Sequence, residues 1–258
     1  MRIHAMLSLA VVLLAGQALE TAAGQGLTLT VNDATFQPET NGGTGLLSFG
    51  VSMAAVQDPT NADPEEIPTG TQVTLIWSTG DVSARGGASC GAGVDYLAQS
   101  QVGLTVSAAQ PNGQINVPIC GDTRDEANET FNVILSVSSG SATLARNTAT
   151  GTIVDDDPAP TISVGAAQQV EGNSGTTTLA VPVVLSTPSE RPVTANFQTE
   201  VTGLTATQAS NCTGGADLQL ASGQVSIAEG VDRGVANVSI CGDVVAEPQT
   251  PSSIRVLS

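Results

Sequence analysis

Val117-Pro118-Ile119-Cys120-Gly121-Asp122 is answered further along the chain by Val238-Ser239-Ile240-Cys241-Gly242-Asp243. Each run is an apolar alternation ending in Cys-Gly-Asp, and two copies of it in one chain point to an internal repeat. The surrounding sequence agrees. Ahead of the run, Cys90, Gly93 and Asp95 recur at the same spacing as Cys212, Gly215 and Asp217. Earlier still, Glu39-Thr40-Asn41-Gly42-Gly43-Thr44 and Glu171-Gly172-Asn173-Ser174-Gly175-Thr176 both fit E-x-N-x-G-T, and downstream Glu126 is matched by Glu247. Chance does not produce so many signposts in the same order. The copies differ chiefly in one loop, Gln57 to Gly70, which is longer in the first and rich in Pro, Asp and Glu.

Between the signposts the residues favour strands. Leu46 to Val56, Thr71 to Ser78, Gln101 to Ala108, Gln114 to Cys120, Thr130 to Ser138 and Thr148 to Val154 are short, rich in β-branched residues and bounded by Gly, Pro, Asn or Asp. About seven such strands per repeat is the count of a β-sandwich. The expected fold is therefore all-β, two sandwich domains in tandem. Alternation from Gln114 to Ile119 turns one apolar face inward, and Pro118, which has no N–H to give a ladder, predicts an edge or a bulge there.

Met1 to Ala23 reads as a secretory signal: Arg2 and His4 precede the apolar run Ala5 to Ala15, and small residues follow. That run is too short to span a bilayer. Residues 24–157 then form the first domain and 158–258 the second, across the junction Asp155-Asp156-Asp157-Pro158-Ala159-Pro160. Ile254-Arg255-Val256-Leu257-Ser258 corresponds to Asn132-Val133-Ile134-Leu135-Ser136, so the second copy is expected to be C-terminally truncated. The place of action is expected to lie outside the cytoplasm: secreted, at the cell surface or in a periplasm.

Composition removes much chemistry. The chain has one histidine, inside the signal, and its seven basic residues are all arginine. Without histidine there is no Ser-His-Asp or Cys-His nucleophile and no imidazole zinc ligand. Without lysine there is no Schiff base and no P-loop lysine. A formal charge of −17 repels nucleic acid and anionic lipid and attracts cations. With one Trp and one Tyr, platforms for sugars or bases are not expected, and Trp77 and Tyr96 read as packing residues. An enzyme is not expected; a two-carboxylate glycosidase is the nearest catalytic alternative.

Four cysteines in an exported chain allow three pairings, and the repeat selects one, Cys90 with Cys120 and Cys212 with Cys241. Closing a loop of about 30 residues stabilises a domain by roughly 3 to 4 kcal/mol on the chain-entropy account. Each bond also ties together two segments that carry acids.

Carboxylates are the reactive groups that remain, and in the first copy they fall in four segments: Glu39, Asp95, the run Asp122 to Glu129, and Asp155 to Asp157. Loops at one end of a sandwich can bring such segments together, and calcium takes 6 to 8 oxygens. So many acids without a cation would repel one another and raise their own pKa values. These residues resemble the Calx-beta domain, first recognised as the regulatory repeats of sodium/calcium exchangers and common in bacterial surface proteins. The features that carry the resemblance are the early Glu39 in E-x-N, Gly93-Val94-Asp95-Tyr96, Gly121-Asp122 through Glu126 and Glu129-Thr130-Phe131, and Ile153 to Asp157. The resemblance implies an immunoglobulin-like sandwich binding Ca²⁺ at its tip. Glu39, Asp95, Asp122, Glu126, Glu129, Asp155, Asp156 and Asp157 would be the metal ligands, and Arg124 would offer its backbone carbonyl.

Gly121 departs from the pattern, since members of that family can carry an acid there, which predicts lower occupancy. The second copy departs further. It keeps Glu171, Asp217, Asp243 and Glu247, but Leu218 replaces the Tyr, Thr250 or a neighbour replaces the second Glu, and the Asp triplet has no counterpart, so no strong site is expected. The expected function is that of a calcium-binding extracellular or cell-surface structural module, stiffened by calcium in its first domain and at the junction, with a cell-surface or extracellular protein as partner. The competing reading is a calcium-independent adhesin or spacer repeat.

Overall fold

The computed structural model describes residues 26–34, 37–57, 59, 65–200, 207–245 and 253–257. The expected signal segment, Glu247 and Thr250 lie outside them. Within them the chain is strand and loop, and no helix is long and apolar enough to cross a membrane.

The first sandwich comprises β1 (Leu27–Val31), β2 (Gln37–Pro38), β3 (Gly43–Ala55), β4 (Gln72–Asp81), β5 (Gly86–Gly87), β6 (Tyr96–Leu97), β7 (Val102–Ser107), β8 (Asn112–Gly121), β9 (Glu129–Ser139), β10 (Thr143–Arg146) and β11 (Thr148–Val154). One sheet runs β10-β1-β3-β8-β6-β5 and the other β2-β11-β9-β4-β7. Their inner faces meet over Leu29, Phe49, Leu75, Trp77, Ile115, Phe131 and Tyr96, all buried. Tyr96 stacks on Phe131 with ring centroids 4.3 Å apart and its hydroxyl donates to Asp81 Oδ1, so it and Trp77 are packing residues, as expected. Each of the six strands expected from the sequence forms. Two longer strands were not expected. β1 comes soon after the expected signal segment, and β10 is short and mostly exposed, without the alternation that marks a buried face.

Pro118 meets its expectation in part. β8 lies between β3 and β6, but β6 pairs with it only at Ile119, so most of the outer side of β8 is an edge. Opposite Leu46 of β3, Pro118 itself sits in unbroken register, without a bulge.

The second sandwich comprises β12 (Ile162–Val164), β13 (Thr176–Leu185), β14 (Val193–Glu200), β15 (Gln208–Ala209), β16 (Leu218–Gln219), β17 (Ser222–Ile227), β18 (Arg233–Cys241) and β19 (Ser253–Leu257). Its sheets run β12-β13-β18-β16-β15 and β17-β14-β19 around a smaller core that includes Val183, Phe197, Leu218, Ile227 and Val238. Strand for strand it repeats the first, with β13 and β18 in the places of β3 and β8. Among the described residues it has no counterpart of β2, β10 or β11. The structure bonds Cys90 to Cys120 and Cys212 to Cys241 with Cα atoms 5.5 and 5.3 Å apart, the pairing chosen by the repeat.

Candidate functional site

At one pole of the first sandwich four chain segments converge. β2 runs parallel to β11 with Pro38 opposite Val154, and Glu39 N–H donates to the Val154 carbonyl at 3.1 Å, which places Glu39 beside the acids that leave β11. β9 begins at Glu129, directly opposite Ile153. Asp95 sits just before β6, where its own N–H bonds to the Arg85 carbonyl and its carbonyl accepts the Cys120 N–H at 2.8 Å. The disulfide joins that segment to the end of β8. Cys90, Cys120, Glu39, Asp95, Asp122, Arg124 and Glu126 line one cleft of about 360 Å³.

Glycine at 121 makes the convergence sterically feasible. A Cβ there would lie 1.9 Å from the Thr40 carbonyl oxygen and 2.4 Å from that of Glu39, so no side chain fits. The sequence predicted reduced occupancy from an absent acid at this position. The structure adds a steric role: the glycine admits the Glu39 turn to the end of β8. The turn carries strain at Thr40, whose φ of 79° is unusual for a β-branched residue, and Asn41 secures it by donating from Nδ2 to Asp157 Oδ1 at 2.8 Å. Asn41 is thus the tie between the entry and exit segments of the pole.

Three groups of acids offer oxygens lying within 4.8 Å of one another: Glu39, Asp155 and Asp157; Asp95, Glu126 and Glu129; and Asp122, Glu126 and Glu190. Two oxygens on one calcium, each at about 2.4 Å, can be no further apart than this. Seven of the eight acids expected as ligands thus fall into groups. Asp156 falls into none. It is exposed between half-buried Asp155 and buried Asp157, because alternate side chains of an extended run face opposite ways. Glu190, from the second sandwich, was not foreseen. Arg124 N–H donates to Asp122 Oδ1 at 2.8 Å, and its guanidinium reaches Glu190 Oε1 at 2.9 Å.

The acids are poorly compensated. Glu39 is 3% exposed, yet its Oε1 has no hydrogen-bond partner; buried Asp157 Oδ2 and Glu129 Oε2 are likewise unpartnered. Burial, reinforced by the charges of Asp122, Asp155, Asp157 and Asp156, pushes the Glu39 carboxyl up to about 8. Burial and then the Glu190 charge push Glu126 up to about 9. Glu129 rises to about 8 through burial and its contact with Asp95. Asp157 is also raised, by burial and by Asp156 and Asp155, against the lowering effect of the Asn41 hydrogen bond. Buried carboxylate oxygens are normally hydrogen-bonded or bound to metal, and leaving them bare is costly. A hard divalent cation fits this donor set, which is all oxygen, anionic and drawn from several loops.

The second sandwich keeps the framework without the cluster. Cys241 N–H donates to the Asp217 carbonyl at 3.0 Å, and Asp217 Oδ2 accepts from Thr207 N–H at 2.5 Å, as Asp95 Oδ2 accepts from Arg85 N–H at 2.6 Å. Gly242 is crowded by the Glu171 and Gly172 carbonyls as Gly121 is by Glu39 and Thr40. Among the described residues, no group of three acids gathers there.

Comparison with known proteins places the sequence and its closeness to solved structures. A profile of the Calx-beta domain matches residues 67–157 and 159–256. No curated protein gives a match. Similar solved structures include CBD12 from CALX1.2, 18% identical over 89% of this chain and 79% of that one, with a TM-score of 0.37. They also include the apo form of the Calx CBD1 domain, 17% identical over 52% of this chain and 100% of that one, at 0.38. An E. coli alpha-2-macroglobulin is 11% identical over 90% of this chain and 16% of that one, at 0.30. Overlays this loose do not by themselves establish a shared fold.

Proposed function

The chain belongs to the Calx-beta family, and from that premise we propose that it is an exported calcium-binding structural module whose metal sits at the pole of the first sandwich. The observation that carries this reading is the set of three buried, unpartnered carboxylate oxygens, on Glu39, Asp157 and Glu129, which fall in two neighbouring acid groups. Glu39, Asp155 and Asp157 hold one ion; Asp95, Glu126 and Glu129 hold a second. Asp156 contributes its charge to the field around them. A calcium-independent spacer would leave those oxygens bare, so the spacer reading has less support.

Asp155 to Asp157 lead directly into Pro158 and the second sandwich. An ion fixing Asp155 and Asp157 restrains the first residues of the connection, and the module then presents its second sandwich at a set angle. The two disulfides favour an oxidising setting, outside the cytoplasm, and the partner is an extracellular or cell-surface protein. No catalytic role is proposed.

Calcium at 100 times its dissociation constant should stabilise the full chain by about 2.7 kcal/mol, a rise in melting temperature of roughly 5 to 10 °C. Asp157→Asn should remove most of that rise. A melting temperature indifferent to calcium would sink the metal site, and identical small-angle scattering in calcium and in chelator would sink the stiffening.

A further inference from the structure

Glu190 belongs to the second sandwich, in the turn between β13 and β14, yet a carboxylate oxygen of it lies within 4.8 Å of oxygens of Asp122 and Glu126 at the pole of the first. The turn is held there by contacts that do not involve its carboxylate. Ser189, 1% exposed, donates from Oγ to the Asp125 carbonyl at 3.1 Å and to Asp125 Oδ2 at 3.0 Å. Glu190 N–H donates to the same carbonyl at 3.1 Å, and on the far side Gly230 N–H holds the Ser189 carbonyl at 2.8 Å. Arg191 adds an ion pair to Asp125 at 3.7 Å. The first sandwich thus uses different residues of one short loop for two purposes: Asp122 and Glu126 face the acid group while Asp125 grips the second sandwich.

We propose that Glu190 is a cation ligand donated by the second sandwich, so that an ion shared with Asp122 and Glu126 bridges the two sandwiches. This rests on the reading of the pole as a calcium site. A separate observation points to a ligand beside this group: Glu39, nearly fully buried, lines one cleft together with Asp122 and Glu126 and keeps an oxygen without a partner. The Arg124 guanidinium, 2.9 Å from Glu190, is the one cationic group contacting this acid group among the described residues. A divalent ion competes with it for the Glu190 carboxylate. Linkage is reciprocal, so an ion that draws on Glu190 tightens the docking of the turn, and docking tightens the ion.

The test is a calorimetric titration of the full chain with calcium chloride after chelator treatment, beside three variants. Glu190→Gln should lose the weakest calcium step or weaken it at least tenfold, with the tighter steps kept. Glu229→Gln, which removes an equal charge from an exposed position next to Gly230, should titrate within about twofold of the parent. Arg124→Gln breaks the same ion pair without touching the carboxylate and should not weaken calcium. If Glu190→Gln titrates like the parent, or if it and Arg124→Gln weaken calcium equally, the bridging ligand is wrong while the pole remains a calcium site. A parent chain that takes up no calcium overturns both.

Discussion

The two sandwiches share a frame and differ in what the frame holds. Both have the disulfide, the glycine that lets the entry turn approach the end of the long central strand, and an aspartate that accepts from a backbone N–H on the neighbouring loop. Among the described residues, only the first has β2 and β11, which bring Glu39 alongside Asp155 and Asp157, and only the first gathers acids there. The aspartate and disulfide are therefore parts of the scaffold first. On the proposed reading, what turns the frame into a metal pole is the addition of a buried entry glutamate and an acidic exit from the last strand.

That division can be broken from the frame inward. Replacing Cys90 and Cys120 by Ser, or Cys212 and Cys241 by Ser, should cost about 3 kcal/mol in either sandwich, read by denaturant unfolding. Calcium affinity should fall only with the first pair, because Cys90 and Cys120 line the acidic cleft. Equal loss from both pairs would erase the distinction. Gly121→Ala should cost about 1 to 3 kcal/mol and weaken calcium. Gly242→Ala should cost less, since its nearest clash is 2.7 Å against 1.9 Å, and should leave calcium untouched.

A smaller effect is expected from Glu126→Gln, which belongs to two acid groups: a drop in calcium affinity of at least tenfold, about 1.4 kcal/mol, by calorimetry. Asp243→Asn, in the second sandwich, should change nothing in the same titration. The last effect is on pH. Glu39, Glu126 and Glu129 are raised to about 8, 9 and 8 in the metal-free chain, so between their unfolded values near 4.5 and these, the folded state holds protons that the unfolded state has released. Their stabilising contribution is full below about pH 4.5 and is lost as pH climbs through about 8 to 9. In chelator the melting temperature should fall by a few degrees from about pH 6 to pH 9, and excess calcium, which favours the deprotonated acids, should flatten that fall.

Much of this was legible in the sequence because it is written locally or repeated. Alternating β-branched runs gave the strands from Leu46 to Val154, and the duplicated Cys-Gly-Asp gave the disulfides. β1 also alternates, Leu27, Leu29 and Val31 inward, but its position close to the apolar run read as a signal masked it. Gly121 has a steric role that the sequence did not show. A missing acid and a steric requirement look alike in one sequence, and only the approach of the Thr40 carbonyl separates them. Asp156 was expected from the family resemblance together with Asp155 and Asp157, whereas the extended backbone turns its side chain the other way. Nothing near Glu190 marks it: it is one acid in Ser-Glu-Arg, and the role proposed for it depends on how the sandwiches dock.

Anomalous diffraction from crystals grown in excess calcium tests the central claim most directly. The account expects ions among Glu39, Asp155 and Asp157 and among Asp95, Glu126 and Glu129, and none beside Asp243. Peaks absent from the first pole, or equally strong at the second, would contradict it.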